Sequence, residues 1–180
     1  AIDCRYVGHP LLDRYNLKLS YDEFLEEFGI DADKTLISVF PGSRKQEISK
    51  HMPVLLDFFV KISKRNDVEI LICRSANLKK FVFERYLLPE NIKILDSEYQ
   101  WEIMSYSGIV LCKSGTATLQ TAIAGTPSVV FYKVNPISYF IAKMIVKTKF
   151  ISLPNIITDK QINPELIQSD FNPDNLIDEV

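Results

Sequence analysis

The sequence has few cysteines and no long apolar run, and each shortage excludes a class of protein. Its 180 residues include three cysteines without a CxxC spacing, so neither a disulfide framework nor a zinc site is indicated. No stretch reaches the ~18 uninterrupted apolar residues of a membrane-spanning helix. The chain begins AIDCRYVGHP, without an initiator Met or a basic signal segment. We therefore expect a piece of a longer protein from a reducing compartment.

Acidic residues are missing from one continuous part of the chain. Residues 103–158 contain no Asp or Glu and carry +5, although the whole chain carries −2. A carboxylate beside a bound phosphate would repel it, so this stretch favours an anionic ligand or an anionic membrane surface. Chance clustering on a solvated face is the alternative. The pI of 5.8 argues against nucleic acid as a partner. The five lysines of the stretch are Lys113, Lys133, Lys143, Lys147 and Lys149.

Short apolar runs alternate with helical patterns along the chain. The runs lack strict apolar–polar alternation, which is typical of strands covered on both faces. Right-handed crossovers then give an α/β fold with a doubly wound, mostly parallel, Rossmann-like sheet. We expect one domain over 1–180, with 1–20 as an interdomain linker region and 153–180 as helices wrapping back. Strands are predicted at 35–40, 68–73, 91–95, 108–112 and 128–132.

Local signals predict the helices between these strands. Ser20 and Glu23 have capping-box spacing, and Gly29 suits the end of that helix. Pro53 suits a first helical turn. An apolar stripe with lysines opposite it predicts a helix near 137–145 that either packs on the core or lies on a membrane surface. The remaining predicted helices cover 77–86, 99–106 and 114–124.

Two loops at the carboxyl ends of predicted strands suit a phosphate ligand. After the first strand, Gly42 permits close approach, Ser43 offers a hydroxyl and Arg44 offers a planar fork of donors. After the fourth strand, residues 114–117 are small and begin a helix, whose free N–H groups and dipole attract a diphosphate. An ordinary turn and an ordinary capped helix are the alternatives. Neither loop is GxGxxG or GxxxxGK[ST], which disfavours dinucleotide dehydrogenases and P-loop NTPases.

Six short motifs follow one another in order along nearly the whole chain. This ordered set resembles the lipid-A-disaccharide synthase family, whose members are inverting GT-B glycosyltransferases of lipid A biosynthesis with two Rossmann-like halves. The resemblance implies transfer of 2,3-diacylglucosamine from UDP to 2,3-diacylglucosamine 1-phosphate, and it covers only the carboxyl-terminal, donor-binding half. The motifs are Val7–Pro10, Pro41–Arg44 with Glu47 and Ile48, Ser114–Ala117, Tyr132–Pro136, Ser152–Asn155 and Pro164–Gln168.

The resemblance also implies the site residues. Arg44 and Asn155 match functionally important positions, here taken as catalytic, and Gln120 stands where the family has a ribose-binding Glu. By analogy with related transferases, backbone near Tyr99 and Gln100 meets the uracil. Diphosphate contacts are expected from Gly42, Ser43, Ser114, Gly115, Thr116 and Ala117.

These implications define an expected function and leave two alternatives. The expected enzyme is cytoplasmic, peripheral to the inner membrane, and needs no metal or other cofactor. Because the amino-terminal half with most of the acceptor site and the catalytic base is absent, the isolated chain is expected to be inactive. One alternative is another UDP-sugar enzyme of this architecture, such as a 2-epimerase or another hexosaminyltransferase. The other is a non-catalytic α/β interaction module.

Overall fold

A six-stranded parallel sheet organises the part of the chain described by the computed structural model, residues 3–5, 7–145 and 148–180. Its strand order is β3-β2-β1-β4-β5-β6, and all neighbours are parallel. The sheet therefore winds outward in both directions from the β1–β4 pair, and the predicted doubly wound α/β fold is confirmed. The strands are β1 Thr35–Phe40, β2 Val68–Arg74, β3 Ile92–Asp96, β4 Ile109–Lys113, β5 Ser128–Tyr132 and β6 Glu165–Ile167.

Helices and one 3₁₀ turn, Ser97–Tyr99, connect the strands. The helices that precede β4 in the chain are α1 Pro10–Asp13, α2 Tyr21–Phe28, α3 Lys45–Ile62, α4 Phe81–Glu84 and α5 Gln100–Tyr106. The others are α6 Thr116–Ala124, α7 Pro136–Ile145, α8 Leu153–Thr158 and α9 Pro173–Asp178.

Both faces of the sheet are covered, because successive strand residues point to opposite sides. On β1, Ile37 belongs to a core cluster that includes Phe58 of α3, whereas Leu36 belongs to a second cluster with Phe24 of α2. Ile37, Phe58 and Phe24 are fully buried. This two-sided burial explains why the strand sequences are apolar throughout.

Several local predictions are confirmed. Strands β1 and β5 have the predicted bounds. The capping box is present at the start of α2, where the Ser20 N–H donates to Glu23 Oε2 at 2.8 Å and the Glu23 N–H donates to Ser20 Oγ at 3.4 Å. Gly29 ends α2 in the left-handed conformation.

Three local predictions are wrong. Pro53 lies inside α3 rather than in its first turn, and it is solvent-exposed, so water can hydrate the carbonyl that lacks an N–H partner. The helix predicted over 77–86 is reduced to α4. The segment 153–180 contains not only helices but also β6, which extends the sheet beside β5.

The segment 15–19 packs against α5 rather than extending into solvent. The Tyr15 hydroxyl lies 3.1 Å from Ser105 Oγ, and the Tyr106 hydroxyl donates to the Leu19 carbonyl at 2.7 Å. The carboxylate of Glu102, which is fully buried, accepts the Leu19 N–H at 3.3 Å. The last part of the proposed linker is therefore fixed to α5, while its linking role stays a prediction.

Candidate functional site

A cleft of about 350 Å³ opens at the carboxyl ends of β1, β2, β3 and β4. Since β1 and β4 are adjacent at the centre of the sheet, the loops that follow them form its two walls. The two loops singled out from the sequence thus lie on one rim. The lining residues are Phe40, Gly42, Ser43, Arg44, Cys73, Ser75, Ala76, Ser97, Gln100, Lys113, Gly115, Thr116, Ala117 and Gln120.

The β1–α3 loop turns tightly around the carboxylate of Glu47. Gly42 has a φ of 129°, and a Cβ at this position would lie 2.7 Å from Glu47 Oε2. The Ser43 N–H donates to the same oxygen at 2.9 Å. Any side chain at residue 42 would therefore displace the group that holds the loop closed.

Glu47 also joins this loop to the end of β4. Its Oε1 lies 3.1 Å from Arg44 Nη1 and 3.2 Å from Lys113 Nζ. Partial burial acts to raise the pKa of Glu47, but the Ser43 N–H and the Lys113 ammonium outweigh it and lower the pKa. One carboxylate thus neutralises one of two cations, so this cluster of three side chains carries a single positive charge.

The β4–α6 loop presents backbone donors to the cleft. Gly115, with a φ of 153°, is the N-cap of α6 and has no side chain to cap it. The first N–H groups of a helix have no intrahelical acceptor, and the helix dipole makes this end positive. The first turn of α6 has no acidic residue. Gln120, one turn further on, is nearly buried and also lines the cleft.

Ser114 lies behind this loop rather than in the cleft lining. Its hydroxyl donates to the Ile151 carbonyl at 2.8 Å. The side chain therefore ties the end of β4 to the segment that precedes α8. Of the four residues predicted at this helix start, Gly115, Thr116 and Ala117 line the cleft.

Asn155 is fully buried and makes four hydrogen bonds outside the cleft. Its amide nitrogen donates to the Asn163 carbonyl and to Glu165 Oε1, each at 2.8 Å. Its amide oxygen accepts the N–H groups of Ile162 and Asn163, each at 2.9 Å. Every donor and acceptor site of the amide is thus used within the protein.

Glu165, at the start of β6, continues this network towards Ser114. Its carboxylate accepts the N–H groups of Ile151 and Ser152, each at 2.9 Å. The Ile151 carbonyl in turn receives the Ser114 hydroxyl. A chain of hydrogen bonds therefore runs from Asn155 through Glu165 and Ile151 to the base of the β4–α6 loop.

The two residues predicted near the uracil point to different sides. Gln100 lines the cleft, whereas Tyr99 lines a separate, more apolar cavity of about 660 Å³. The Tyr99 ring packs edge-on against Phe28, with 5.0 Å between ring centroids. Nearby, Ser97 Oγ accepts the Ala76 N–H at 3.0 Å, which joins the loops after β2 and β3 at the end of the cleft.

His51 is a fully buried side chain whose position the sequence does not reveal. Its Nδ1 lies 2.7 Å from the Pro41 carbonyl, and its Nε2 accepts the Lys133 N–H at 3.2 Å. These partners assign a neutral ring with the proton on Nδ1. Burial lowers the pKa of His51, against the opposing effect of the Pro41 carbonyl. The ring fastens the β1–α3 loop to the chain that follows β5.

Cys73 in β2 and Cys112 in β4 are buried free thiols. Burial raises the pKa of Cys112 to about 12 and also raises the pKa of Cys73, which lines the cleft. Within residues 3–5, 7–145 and 148–180, no group of three His, Cys, Asp or Glu side chains is arranged to hold a metal ion.

We expect His51 to make the fold sensitive to mild acid. Because the folded state disfavours the protonated ring, the free energy of unfolding falls as the pH drops from about 6.5 towards the lower pKa of the folded state. Urea denaturation across this window measures the effect, which is smaller in His51→Gln. Equal pH dependence in wild type and His51→Gln would contradict the assignment.

The hydrogen bonds of Asn155 predict a large loss of stability on truncation. Asn155→Ala leaves the buried Asn163 N–H without its acceptor and removes one donor from Glu165. We expect the free energy of unfolding to fall by about 2–3 kcal/mol. Asn91→Ala, at an exposed asparagine, changes it by less than about 0.5 kcal/mol. Urea denaturation at neutral pH compares the two, and equal effects would show that the network contributes little.

Comparison with known sequences identifies the family. The family model described as lipid-A-disaccharide synthetase matches residues 1–179. The lipid-A-disaccharide synthase of Solibacter usitatus is 35% identical over 176 residues, covering 98% of this chain and 46% of the relative. The Acinetobacter baylyi enzyme is 36% identical, covering 100% of this chain and 48% of the relative. The chain thus spans about half the length of these relatives.

Comparison with solved structures shows the fold. Escherichia coli ADP-heptose LPS heptosyltransferase II matches with a TM-score of 0.55 at 10% identity, over 91% of this chain and 51% of that one. The Methanocaldococcus jannaschii UDP-GlcNAc 2-epimerase, solved with UDP-GlcNAc and UDP, matches with a TM-score of 0.57 at 12% identity, over 88% and 40%. Both matches show that the chain shares its α/β fold with part of each of these proteins. By its sequence, the chain belongs to the lipid-A-disaccharide synthetase family.

Proposed function

We propose that the chain is the donor-binding half of an inverting glycosyltransferase. The complete enzyme transfers 2,3-diacylglucosamine from UDP to 2,3-diacylglucosamine 1-phosphate, forming lipid A disaccharide 1-phosphate and UDP. The observation that carries this proposal is that the loops after β1 and β4, both suited to bind phosphate, line one cleft. The cleft lies at the position where the order of strands in the sheet reverses direction. Nucleotides bind at this position in open α/β sheets. Family membership supplies the substrate class.

The diphosphate of UDP is proposed to lie between the two loops. Backbone N–H groups of Gly115, Thr116 and Ala117 face one side, and Gly42, Ser43 and Arg44 face the other. Negative charge grows on UDP as the glycosidic bond to it breaks, so fixed donors at this position lower the barrier. The Arg44 side chain is 77% exposed at the rim, where it pairs with Glu47 at 3.1 Å, and a phosphate oxygen would compete with that carboxylate for its guanidinium. No metal or cofactor is part of the proposal.

The nucleoside is proposed to extend from this site towards the loops after β2 and β3. Gln120 offers one carbonyl oxygen to the ribose hydroxyls. Gln100 and the backbone near Tyr99 lie at the uracil end, with the Tyr99 ring held away by Phe28. The proposed substrate contacts therefore come from the cleft lining, while Tyr99 acts through the position of its backbone.

Asn155 and Ser114 are proposed to serve the reaction by positioning. Neither lines the cleft, yet both belong to the hydrogen-bond chain that reaches the β4–α6 loop. A shift of that loop by a fraction of an ångström would misplace the N–H groups that donate to the diphosphate. Catalysis is sensitive to such small displacements. This accounts for the importance that the family resemblance assigns to Asn155 without requiring contact between its amide and the sugar.

The acceptor site and the catalytic base are proposed to lie on the other half of the enzyme. We infer that 1–180 forms one nucleotide-sugar-binding domain, with 1–20 leading to that half. By itself the chain then binds UDP weakly and does not turn over. The enzyme is proposed to act at the cytoplasmic face of the inner membrane as a peripheral protein. Among the described residues, no helix combines the length and the apolar character needed to cross a bilayer.

We expect Arg44→Ala to weaken UDP binding about tenfold, because a charged donor to phosphate is lost. Isothermal titration calorimetry with UDP measures the change. Arg65→Ala is the matched control and should leave the UDP affinity unchanged. Arg65 pairs with Asp67 just before β2, at the amino ends of the strands, whereas the cleft lies at their carboxyl ends. Absence of binding by the wild-type chain at millimolar UDP would favour the interaction module instead.

We expect Gln120→Glu to tighten UDP binding severalfold, because a carboxylate accepts both ribose hydroxyls more strongly than an amide oxygen does. Calorimetry with UDP and with 2′-deoxyuridine diphosphate measures the gain, which should be smaller for the deoxy ligand. Gln161→Glu, at an exposed glutamine outside the cleft lining, controls for the added charge. Unchanged or weaker UDP affinity in Gln120→Glu would contradict the ribose assignment.

A further inference from the structure

Large apolar side chains are exposed on one face of α7. Ile137 is 73% exposed, Phe140 64% and Met144 65%. Their spacing of three and four residues puts them on the same side of a helix. A surface helix normally turns such a stripe towards the core, so this exposed stripe, defined here as the α7 face, calls for a partner. The side chains of Ile141, Lys143, Ile145 and Lys147, which the sequence also assigned to this helix, lie outside the described residues.

The chain around the α7 face is basic. It belongs to the stretch 103–158, which has lysines but no carboxylate. Lys133 precedes the helix, and Lys149, which follows it, is exposed beside Phe150, with 5.0 Å between its Nζ and the ring centroid. Exposed apolar side chains flanked by lysines and free of acids match the interface of an anionic lipid bilayer.

A second group of exposed apolar side chains lies further along the same stretch. In α8, Ile156 is 41% exposed and Ile157 is 69% exposed. The segment before α8 is bonded to Ser114 through the Ile151 carbonyl, at the end of β4. Exposure of large apolar groups therefore recurs near the carboxyl edge of the sheet.

The start of α7 lies a few residues along the chain from a strand end that neighbours the proposed donor site. The helix begins four residues after Tyr132, the last residue of β5. Lys113, which lines the cleft, places its Nζ 5.6 Å from the centroid of the Tyr132 ring. A bilayer in contact with α7 would thus lie beside the edge of the sheet at which the cleft opens.

We propose that the α7 face is a membrane-docking surface for anionic phospholipid. Ile137, Phe140 and Met144 enter the boundary between headgroups and acyl chains, and the flanking lysines contact the phosphates. The proposal rests on the proposed function, in which both sugar substrates carry acyl chains and must be reached at a membrane. Docking through α7 holds the cleft within reach of lipid headgroups.

Vesicle flotation tests the proposal directly. The chain is mixed with vesicles of phosphatidylethanolamine and phosphatidylglycerol, or with vesicles of phosphatidylcholine alone. We expect stronger partitioning onto the anionic vesicles, with a severalfold reduction when salt rises from about 0.1 M to about 0.5 M. The double variant Ile137→Ser/Phe140→Ser should partition about tenfold less.

Matched controls separate docking from loss of apolar surface in general. Leu87 is 94% exposed and Val60 is 55% exposed, and both lie outside the basic stretch. The variant Val60→Ser/Leu87→Ser should float like the wild type. Circular dichroism and UDP calorimetry confirm that each variant is folded and retains its cleft.

Three results would overturn the proposal. The first is equal partitioning onto anionic and zwitterionic vesicles, and the second is an unchanged partition in the α7 variant. The third is a wild-type dimer in sedimentation that dissociates in the α7 variant while flotation is unaffected, which would make the face a contact between copies of the chain. If any of these results is found while UDP still binds, the docking proposal fails and the proposed function stands. If UDP does not bind but the chain floats normally with anionic vesicles, the proposed function is contradicted and the docking proposal is not.

Discussion

The pairing of β1 with β4 is the constraint on which the site depends. Residues 37–40 of β1 lie in register beside 109–112 of β4, although some seventy residues of chain separate the two strands. From this pair the sheet extends through β2 and β3 on one side and through β5 and β6 on the other. Helix α3, which follows β1, and helix α6, which follows β4, pack on opposite faces of the sheet, so a gap opens between their first turns. The cleft is a consequence of that winding.

Once the gap exists, its walls are stabilised mainly from outside the lining. His51 holds the β1–α3 loop to the backbone of Lys133, and the network of Asn155 and Glu165 holds the segment on which Ser114 rests. His51 and Asn155 are fully buried, and His51 and Ser114 bond to backbone that lies 82 and 37 residues away in sequence. Hydrogen bonds of this kind are strong in a dry interior and fix one arrangement of the backbone. The backbone donors of the cleft are thus in place before any ligand arrives.

The sequence was sufficient where a local pattern decides the structure. Strands β1 and β5 are apolar because both of their faces are covered, and the start of α2 is decided within four residues by its capping box. The helix start predicted at Pro53 was wrong because proline is common in the first turn of a helix, whereas here an exposed position inside α3 tolerates it. Strand β6 is three residues long and has a partly buried glutamate, so it lacks the usual pattern of a strand.

The site was predictable as two loops on one rim, but not as a set of side-chain directions. Small residues and an arginine after a strand are visible in sequence, and the parallel sheet places them together. The orientation of Ser114 and Tyr99 depends on Ile151 and Phe28, which only the folded chain brings near. Likewise, the partners of Asn155 include Glu165, whose strand the sequence did not reveal.

Glu47 places a negative charge beside two cations that line the cleft. Its carboxylate already pairs with both the Arg44 guanidinium and the Lys113 ammonium. A phosphate that enters must share or replace this internal anion, so part of its attraction to the two cations is cancelled in advance. The same carboxylate is ready to take the cations back when the phosphate departs. Such an exchange would limit how tightly a phosphate is held between these two cations.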